Sequence, residues 1–305
     1  MGRFGRQSAI LAALLSVIGL AMAQEPVFYS SSKLVRLIVT VKNERGDLVG
    51  DLRHQDFRVF DSGVEQTIRV FERHTEVPLS ISILIDTSGS TRKDLDSEVA
   101  AIRKFLGALL AEGNPQDSVA IYSFNHEVTL LTSFTRNPSR LNNALRRLKA
   151  NSGTSLYDAV YLASRQIEDR EGRHIMVIVT DGGDTTSRQS FLTALRAAQQ
   201  SEVVIYPILV TPITTEPGRN LGGERVLAQF ASNTGGFLFE PAQSTQLDAI
   251  FTQLLRDLRT QYLLAFRPEN LPQDLPEFHP IRVEVLRAGL RVSTRSGYYE
   301  STARR

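Results

Sequence analysis

At 305 residues the chain has room for one large domain or two modest ones, each with ample core. Hydrophobic residues make up 42% and charged residues 22%, the balance of a soluble globular protein. Thirty-five Lys and Arg against 33 Asp and Glu leave a net charge of +2 with the signs interspersed, which excludes a nucleic-acid-binding face.

The first segment reads as an export signal, residues 1–23. Arg3 and Arg6 give a positive start, Ala9–Leu20 an apolar centre, and Ala21-Met22-Ala23 a small-x-small cleavage site before Gln24. The apolar run is short of the ~20 residues that a membrane helix needs, so cleavage is expected, with an uncleaved anchor as the alternative. No other segment is a candidate span. The chain has no cysteine, which suits an exported bacterial protein that manages without disulfides. The expected location is secreted or periplasmic.

Residues 33–73 read as β. Val35, Leu37, Val39 and Val41 alternate with Arg36, Ile38, Thr40 and Lys42, the period of a strand. Turns at Glu44–Asp47 and Asp61–Gly63 separate it from a short strand, Phe57–Phe60, and from a longer one, Val64–Phe71. Arg45-Gly46-Asp47 matches a cell-adhesion tripeptide, but a β-turn wants Gly and Asp for its own reasons.

From Pro78 strands alternate with helices. A buried strand over Leu79–Ile85 precedes a helix over Leu95–Glu112. Strands follow at Ser118–Phe124 and Val128–Leu131, then helices near Ser139–Lys149 and Ser155–Asp169, then the strand His174–Val179. A helix near Arg188–Gln200, the strand Val203–Val210, a helix near Gly223–Thr234, a short strand Gly236–Phe239 and a helix near Ser244–Arg259 complete the run. This alternation predicts an α/β fold, a doubly wound, mostly parallel sheet with helices on both faces, over residues 76–260. Residues 261–300 return to β, with strands at Gln261–Arg267, Ile281–Leu286 and Leu290–Ser293. Each flank alone has about three strands, thin for independent stability. The economical arrangement pairs 33–73 with 261–300 in one β-sandwich-like region; the alternative is that each flank simply extends or covers the α/β sheet.

Chemistry concentrates at three loops of the α/β part. Asp86-Thr87-Ser88-Gly89-Ser90 follows the first buried strand, Gly153-Thr154-Ser155 opens a helix, and Thr180-Asp181-Gly182 ends another buried strand. Loops at the carboxyl ends of such strands form the crevice where open α/β sheets bind ligands. Two carboxylates and three hydroxyls, Asp86, Ser88, Ser90, Thr154 and Asp181, make an all-oxygen set suited to a hard divalent cation. Gly89 is expected to permit a turn that a side chain would block. Asp184 reads as a helix-capping or loop carboxylate, and Asp158 as either a brace for the threonine loop or a solvated or capping carboxylate.

These three pieces, in this order, resemble the metal-ion-dependent adhesion site of the von Willebrand factor A-type family. Asp56-Phe57 with Val59, then Asp61, Gly63, Gln66 and Ile68, and finally Gly297-Tyr298-Tyr299, extend the resemblance to an exported bacterial subgroup known mainly from acidobacterial genomes. The resemblance implies that Ser88 and Ser90 ligate Mg²⁺ (or Mn²⁺) directly and that Thr154 does so directly or through water. It places Asp86 and Asp181 mostly one shell out, and it has a partner protein's Asp or Glu filling the open position. The implied function is metal-dependent protein binding, in adhesion or as a scaffold, rather than catalysis. Phosphate-loop, dinucleotide, zinc-protease and hydrolase-elbow patterns are absent, and His54, His74, His126, His174 and His279 are scattered. Two alternatives stand beside it: a Mg²⁺-dependent phosphohydrolase-like enzyme with Asp86 as nucleophile, and a structural subunit whose metal only stabilises the fold.

Overall fold

The computed structural model describes residues 34–73, 77–210, 221–241, 243–272 and 274–300. The expected export signal, 1–23, lies outside them. Among the described residues no helix is long and apolar enough to cross a membrane.

Five strands build the central sheet: β5 (Leu79–Asp86), β6 (Ser118–Phe124), β7 (Val128–Thr135), β8 (Arg173–Thr180) and β9 (Val203–Leu209). Their order is β7-β6-β5-β8-β9, and all neighbours are parallel except the β6–β7 pair. β5, β6, β8 and β9 are buried along their whole length because helices cover both faces, which is why they read as continuous apolar runs. On one face Ile81, Ile83 and Ile85 pack with Phe105 and Leu109 of α1 (Leu95–Glu112) and with Phe251 and Leu254 of α6 (Leu247–Arg259). On the other face, Leu84, Tyr122 and Ile178 meet α3 (Leu156–Ile167), α4 (Phe191–Gln200) and α5 (Leu221–Thr234) through Val160, Ala194 and Phe230. The short α2 (Pro138–Leu145) follows β7, its first turn capped by the Asn137 side chain.

The α/β fold expected from the alternation is therefore present, with local differences. The segment Gly236–Phe239 is not a strand; it meets β9 only through one parallel bridge, Ile208 to Phe239. Gly236 lies so close to β9 that a Cβ there would sit 1.9 Å from the Ile205 carbonyl oxygen, so the chain passes too near to continue a regular ladder. α4 starts at Phe191, three residues later than expected, because the Ser190 hydroxyl takes the Thr193 N–H and fixes the cap there.

Both flanks contribute strands to a second region. β1 (Val35–Asn43), β2 (Phe57–Asp61), β3 (Val64–Gln66) and β4 (Ile68–Arg73) come from the N-terminal side. β10 (Tyr262–Phe266), β11 (Phe278–Val285), β12 (Leu290–Ser293) and β13 (Gly297–Tyr299) come from the C-terminal side. They form two antiparallel four-stranded sheets, β12-β1-β10-β4 and β13-β11-β2-β3. Each sheet thus takes two strands from each flank. Leu37, Val39, Leu52, Val59, Tyr262, Leu264 and Phe266 fill the space between the sheets. The Tyr262 hydroxyl donates to the Val49 carbonyl (2.7 Å) and accepts the Leu52 N–H (3.1 Å), so this buried phenol carries no unmet polar group.

Val64–Phe71, expected as one strand, is divided. β3 pairs with β2 in one sheet, and β4 pairs with β10 in the other, so the chain turns a corner of the sandwich at Thr67. Gln66 holds that corner: its side-chain oxygen accepts the Glu269 N–H (2.9 Å) and its amide donates to the Glu269 carbonyl (3.0 Å). A second polar knot lies between β2, β11 and β13. Asp61 is fully buried and accepts hydrogen bonds from the Tyr298 hydroxyl (2.6 Å) and from Ser62 (2.9 Å), with His279 Nδ1 at 3.3 Å.

Tyr298→Phe removes the closest donor to the buried Asp61 carboxylate. It is expected to lower unfolding free energy by about 1–3 kcal/mol, read from the denaturation midpoint at unchanged slope.

Candidate functional site

The crevice forms at the carboxyl ends of β5 and β8. From β5 the chain crosses in one direction to β6, while β8 lies on the other side of β5, so these loops diverge and leave a gap. Asp86 is the last residue of β5 and is fully buried. Its Oδ1 accepts the Ser88 N–H (2.8 Å), and its Oδ2 accepts the Thr180 hydroxyl (2.6 Å) from the end of β8. Thr180 Oγ1 in turn accepts the Gly182 N–H (3.1 Å), which fixes the backbone around Asp181. Ser88 and Ser90 hydroxyls lie 3.0 Å apart; Ser88 is buried and Ser90 exposed. Asp181 is half-buried at the mouth.

Thr154 joins this group through backbone. The Asn151 N–H donates to the Thr87 carbonyl (2.8 Å), bringing the threonine loop beside the Asp86–Ser90 loop. The Thr154 carbonyl accepts the Thr185 and Thr186 N–H groups, and its own N–H donates to the Thr185 hydroxyl (2.9 Å), linking it to the stretch after Asp181. Gly153 makes the bend at φ +80°, where a Cβ would press to 3.0 Å from His126 Cβ. Within the described residues, neither the Thr154 hydroxyl nor the Asp181 carboxylate has a side-chain hydrogen bond. Thr154 is buried and Asp181 half-exposed.

One expectation needs correction. Gly89 has no positive φ, and a Cβ there would meet only the Asn151 carbonyl oxygen at 4.0 Å, so no turn requires glycine at that position. The loop is shaped instead by Thr91, whose hydroxyl donates to the Asp86 and Ser88 carbonyls (3.2 and 3.0 Å). Of the readings of Asp158 the capping one holds: its carboxylate accepts the Arg188 and Gln189 N–H groups. Asp184 caps a helix, though the earlier one: it accepts the Tyr157 N–H (3.2 Å) in the first turn of α3.

Electrostatically the crevice is acidic. Burial pushes the Asp86 carboxyl up to about 6, opposed by hydrogen bonds from Thr180 and Ser88 and reinforced by Asp181. Sequence patterning missed a further carboxylate. Glu98, on α1, is 1% exposed, and both its oxygens are buried without a partner. Burial pushes it up to about 8, with the like charges of Asp86, Asp94 and Asp181 adding to the shift. Its only sequence signal was an acidic residue in phase with the buried residues Ile102, Phe105 and Leu109 of α1.

These residues suit a hard cation. The oxygen groups are the hydroxyls of Ser88, Ser90 and Thr154 and the carboxylate of Asp181, with no sulfur or imidazole, and the orphaned Glu98 carboxylate is within their electrostatic reach. Among the described residues no three His, Asp or Glu side chains are close enough to share an ion by themselves. A cation here would depend on the hydroxyls of Ser88, Ser90 and Thr154.

Residues 81–183 match the family model described as von Willebrand factor type A domain, a span that contains all five candidate residues. A comparison with curated proteins gives no match. Among solved structures, the chain is similar to the conserved hypothetical protein BatB from Bacteroides thetaiotaomicron. That likeness has 18% identity and a TM-score of 0.47, covering 60% of this chain and 100% of that one. It is also similar to the vWF domain of the type V pili tip protein Mfa5 from Porphyromonas gingivalis, with 14% identity, a TM-score of 0.48, and coverage of 59% and 94%. The PilB minor pilin from Streptococcus sanguinis gives 13% identity and a TM-score of 0.49, over 61% of this chain and 62% of that one.

Two outcomes follow from the buried carboxylates. Asp86 and Glu98 bind protons more tightly in the folded chain than their ordinary values of 3.8 and 4.5 allow in the unfolded one. Their contribution to stability is therefore complete below about pH 4 and is lost as pH rises through about 6 and 8. In chelator, the melting temperature should fall across that window, and Glu98→Gln should flatten its upper half. Thr180→Val keeps the shape of the β8 end but removes a hydrogen bond to buried Asp86. Chemical denaturation should show a loss of about 1.5–3 kcal/mol.

Proposed function

We propose that this protein is an exported protein-binding module whose crevice at Asp86, Ser88, Ser90, Thr154 and Asp181 takes a divalent cation, Mg²⁺ with Mn²⁺ as substitute. The observation that carries the reading is the division of labour among these side chains. Asp86 is turned inward and held by Thr180 and Ser88, whereas the Ser90 hydroxyl is exposed and Asp181 half-exposed. Ser88, Ser90 and Thr154 would hold the ion through hydroxyl oxygens, and Asp86 and Asp181 would orient them. When bound, such a cation with few direct anionic ligands supplies an electrophilic position that a partner's Asp or Glu can complete. The match of residues 81–183 to the A-type family supports protein binding as the purpose of the site. The flank residues Asp61, Gln66 and Tyr298 support a place in the exported bacterial subgroup, with secretion or periplasmic residence.

The inward position of Asp86 favours binding over phosphoryl transfer. A carboxylate nucleophile must reach its substrate, and both Asp86 oxygens are already engaged inside the fold. The loops Thr91–Asp94 and Asp184–Ser187 would rim the crevice and tune which partner is chosen.

The test is capture from the native cell envelope on immobilised protein, in Mg²⁺ and in chelator. Capture is expected in Mg²⁺ and should disappear in chelator, in Thr154→Ala and in Asp181→Ala, with melting curves showing all variants folded. A partner retained through chelator and both substitutions would show that the crevice is not the binding surface.

A further inference from the structure

Glu98 stands out against the helix that carries it. Ile102, Phe105, Leu106 and Leu109 make the inner face of α1 apolar, yet Glu98 is buried with them, 1% exposed. Neither carboxylate oxygen has a hydrogen-bond partner. An ionised carboxylate in that position is strongly unfavourable unless positive charge is close by. Its electrostatic neighbours are Asp86, Asp94 and Asp181, all of its own sign. Arg92 and Lys93, adjacent in sequence, lie exposed on the turn Thr91–Lys93. The fold thus buries Glu98 without a partner, within electrostatic reach of the two carboxylates of the crevice, Asp86 and Asp181.

A residue kept only for packing would be apolar, like its helical neighbours. A residue kept for polar structure would have a donor, as Asp86 has Thr180 and Asp61 has Tyr298. We infer that Glu98 is an outer carboxylate of the cation site, which strengthens divalent-cation binding without ligating the ion. The assignment rests on the proposal that the crevice takes such a cation. It makes Glu98 a positioning and charge-setting residue, outside the five-residue motif and invisible to it.

The experiment is calorimetric titration of the full chain with MgCl₂ and MnCl₂, alongside melting curves in chelator. Wild type is compared with Glu98→Gln, Glu98→Asp and Asp181→Ala. Glu98→Gln should weaken Mg²⁺ affinity about 10–100-fold, the range for groups that support metal ligands from behind. Its melting temperature in chelator near pH 8 should equal or exceed that of wild type, because an unpartnered buried charge has been removed. Glu98→Asp, which keeps the charge, should retain most of the affinity. Unchanged Mg²⁺ affinity in Glu98→Gln overturns the assignment while leaving the cation site standing. A Glu98→Gln protein that melts lower in chelator, or fails to fold, also overturns it, since Glu98 would then serve the metal-free structure. If wild type itself binds neither cation and behaves like Asp181→Ala, the cation reading fails, and the role of Glu98 fails with it.

Discussion

The hydrogen bond from the Thr180 hydroxyl to the Asp86 carboxylate is the interaction on which the crevice depends. It joins the ends of two neighbouring parallel strands at the point where the chain departs in opposite directions. A buried carboxylate left without donors is costly, so the bond can be kept only if β5 and β8 end in register. That register is present, with Ile85 opposite Val179 at the last ladder position. Ser88 and Gly182 then take their places because each donates its backbone N–H into the same small network. The geometry of the Asp86–Ser90 loop follows from a buried polar group that must be satisfied, not from Gly89.

A second constraint operates at the opposite end of the sheet, where the α/β part meets the sandwich. Gln261, fully buried between α6 and β10, donates to Thr40 of β1 and to the Tyr206 hydroxyl of β9, both at 2.8 Å. Its side-chain oxygen accepts from Arg173, whose guanidinium also donates to the Leu258 carbonyl (2.9 Å). This explains why Thr40 is buried although it lies on the face of β1 turned away from the sandwich core. One amide therefore engages β1, β8 and β9 together. Charge plays a smaller part here, with Lys42 reaching the buried Asp257 carboxylate (2.9 Å) while its ammonium lies over the Phe237 ring.

The two ends of the sheet differ in how they treat polar atoms. At the sandwich end the buried cations Arg173 and Lys42 each find an oxygen acceptor, Gln261 and Leu258 for the first and Asp257 for the second. At the crevice end, carboxylates accumulate faster than donors. Asp86 keeps two donors and Glu98 keeps none. Stability is given up where a ligand's charge could restore it, a pattern common where buried ionisable groups surround a site.

Strand and helix order was legible in the sequence because buried parallel strands must be apolar throughout and helices must show a 3.6-residue stripe. The helix Leu95–Glu112 and the strand Leu290–Ser293 were readable to their ends. The β character of both flanks was legible too, since alternation along Val35–Val41 has only one physical meaning. The sequence by itself also marked the three polar loops as a group, because their composition breaks sharply from the runs before them. What tertiary structure decided was everything that depends on a distant partner. The corner at Thr67 exists because β3 and β4 find different sheets, which no local pattern encodes. The segment Gly236–Phe239 stays a single bridge because its backbone lies against the Ile205 carbonyl. Thr180 and Thr91, rather than Gly89, shape the loop because their hydroxyls reach acceptors that only the folded sheet supplies. In the sequence Glu98 is one more charge near a helix start. Only packing revealed that α1 buries it, because burial is a property of the assembled layers and not of the residue.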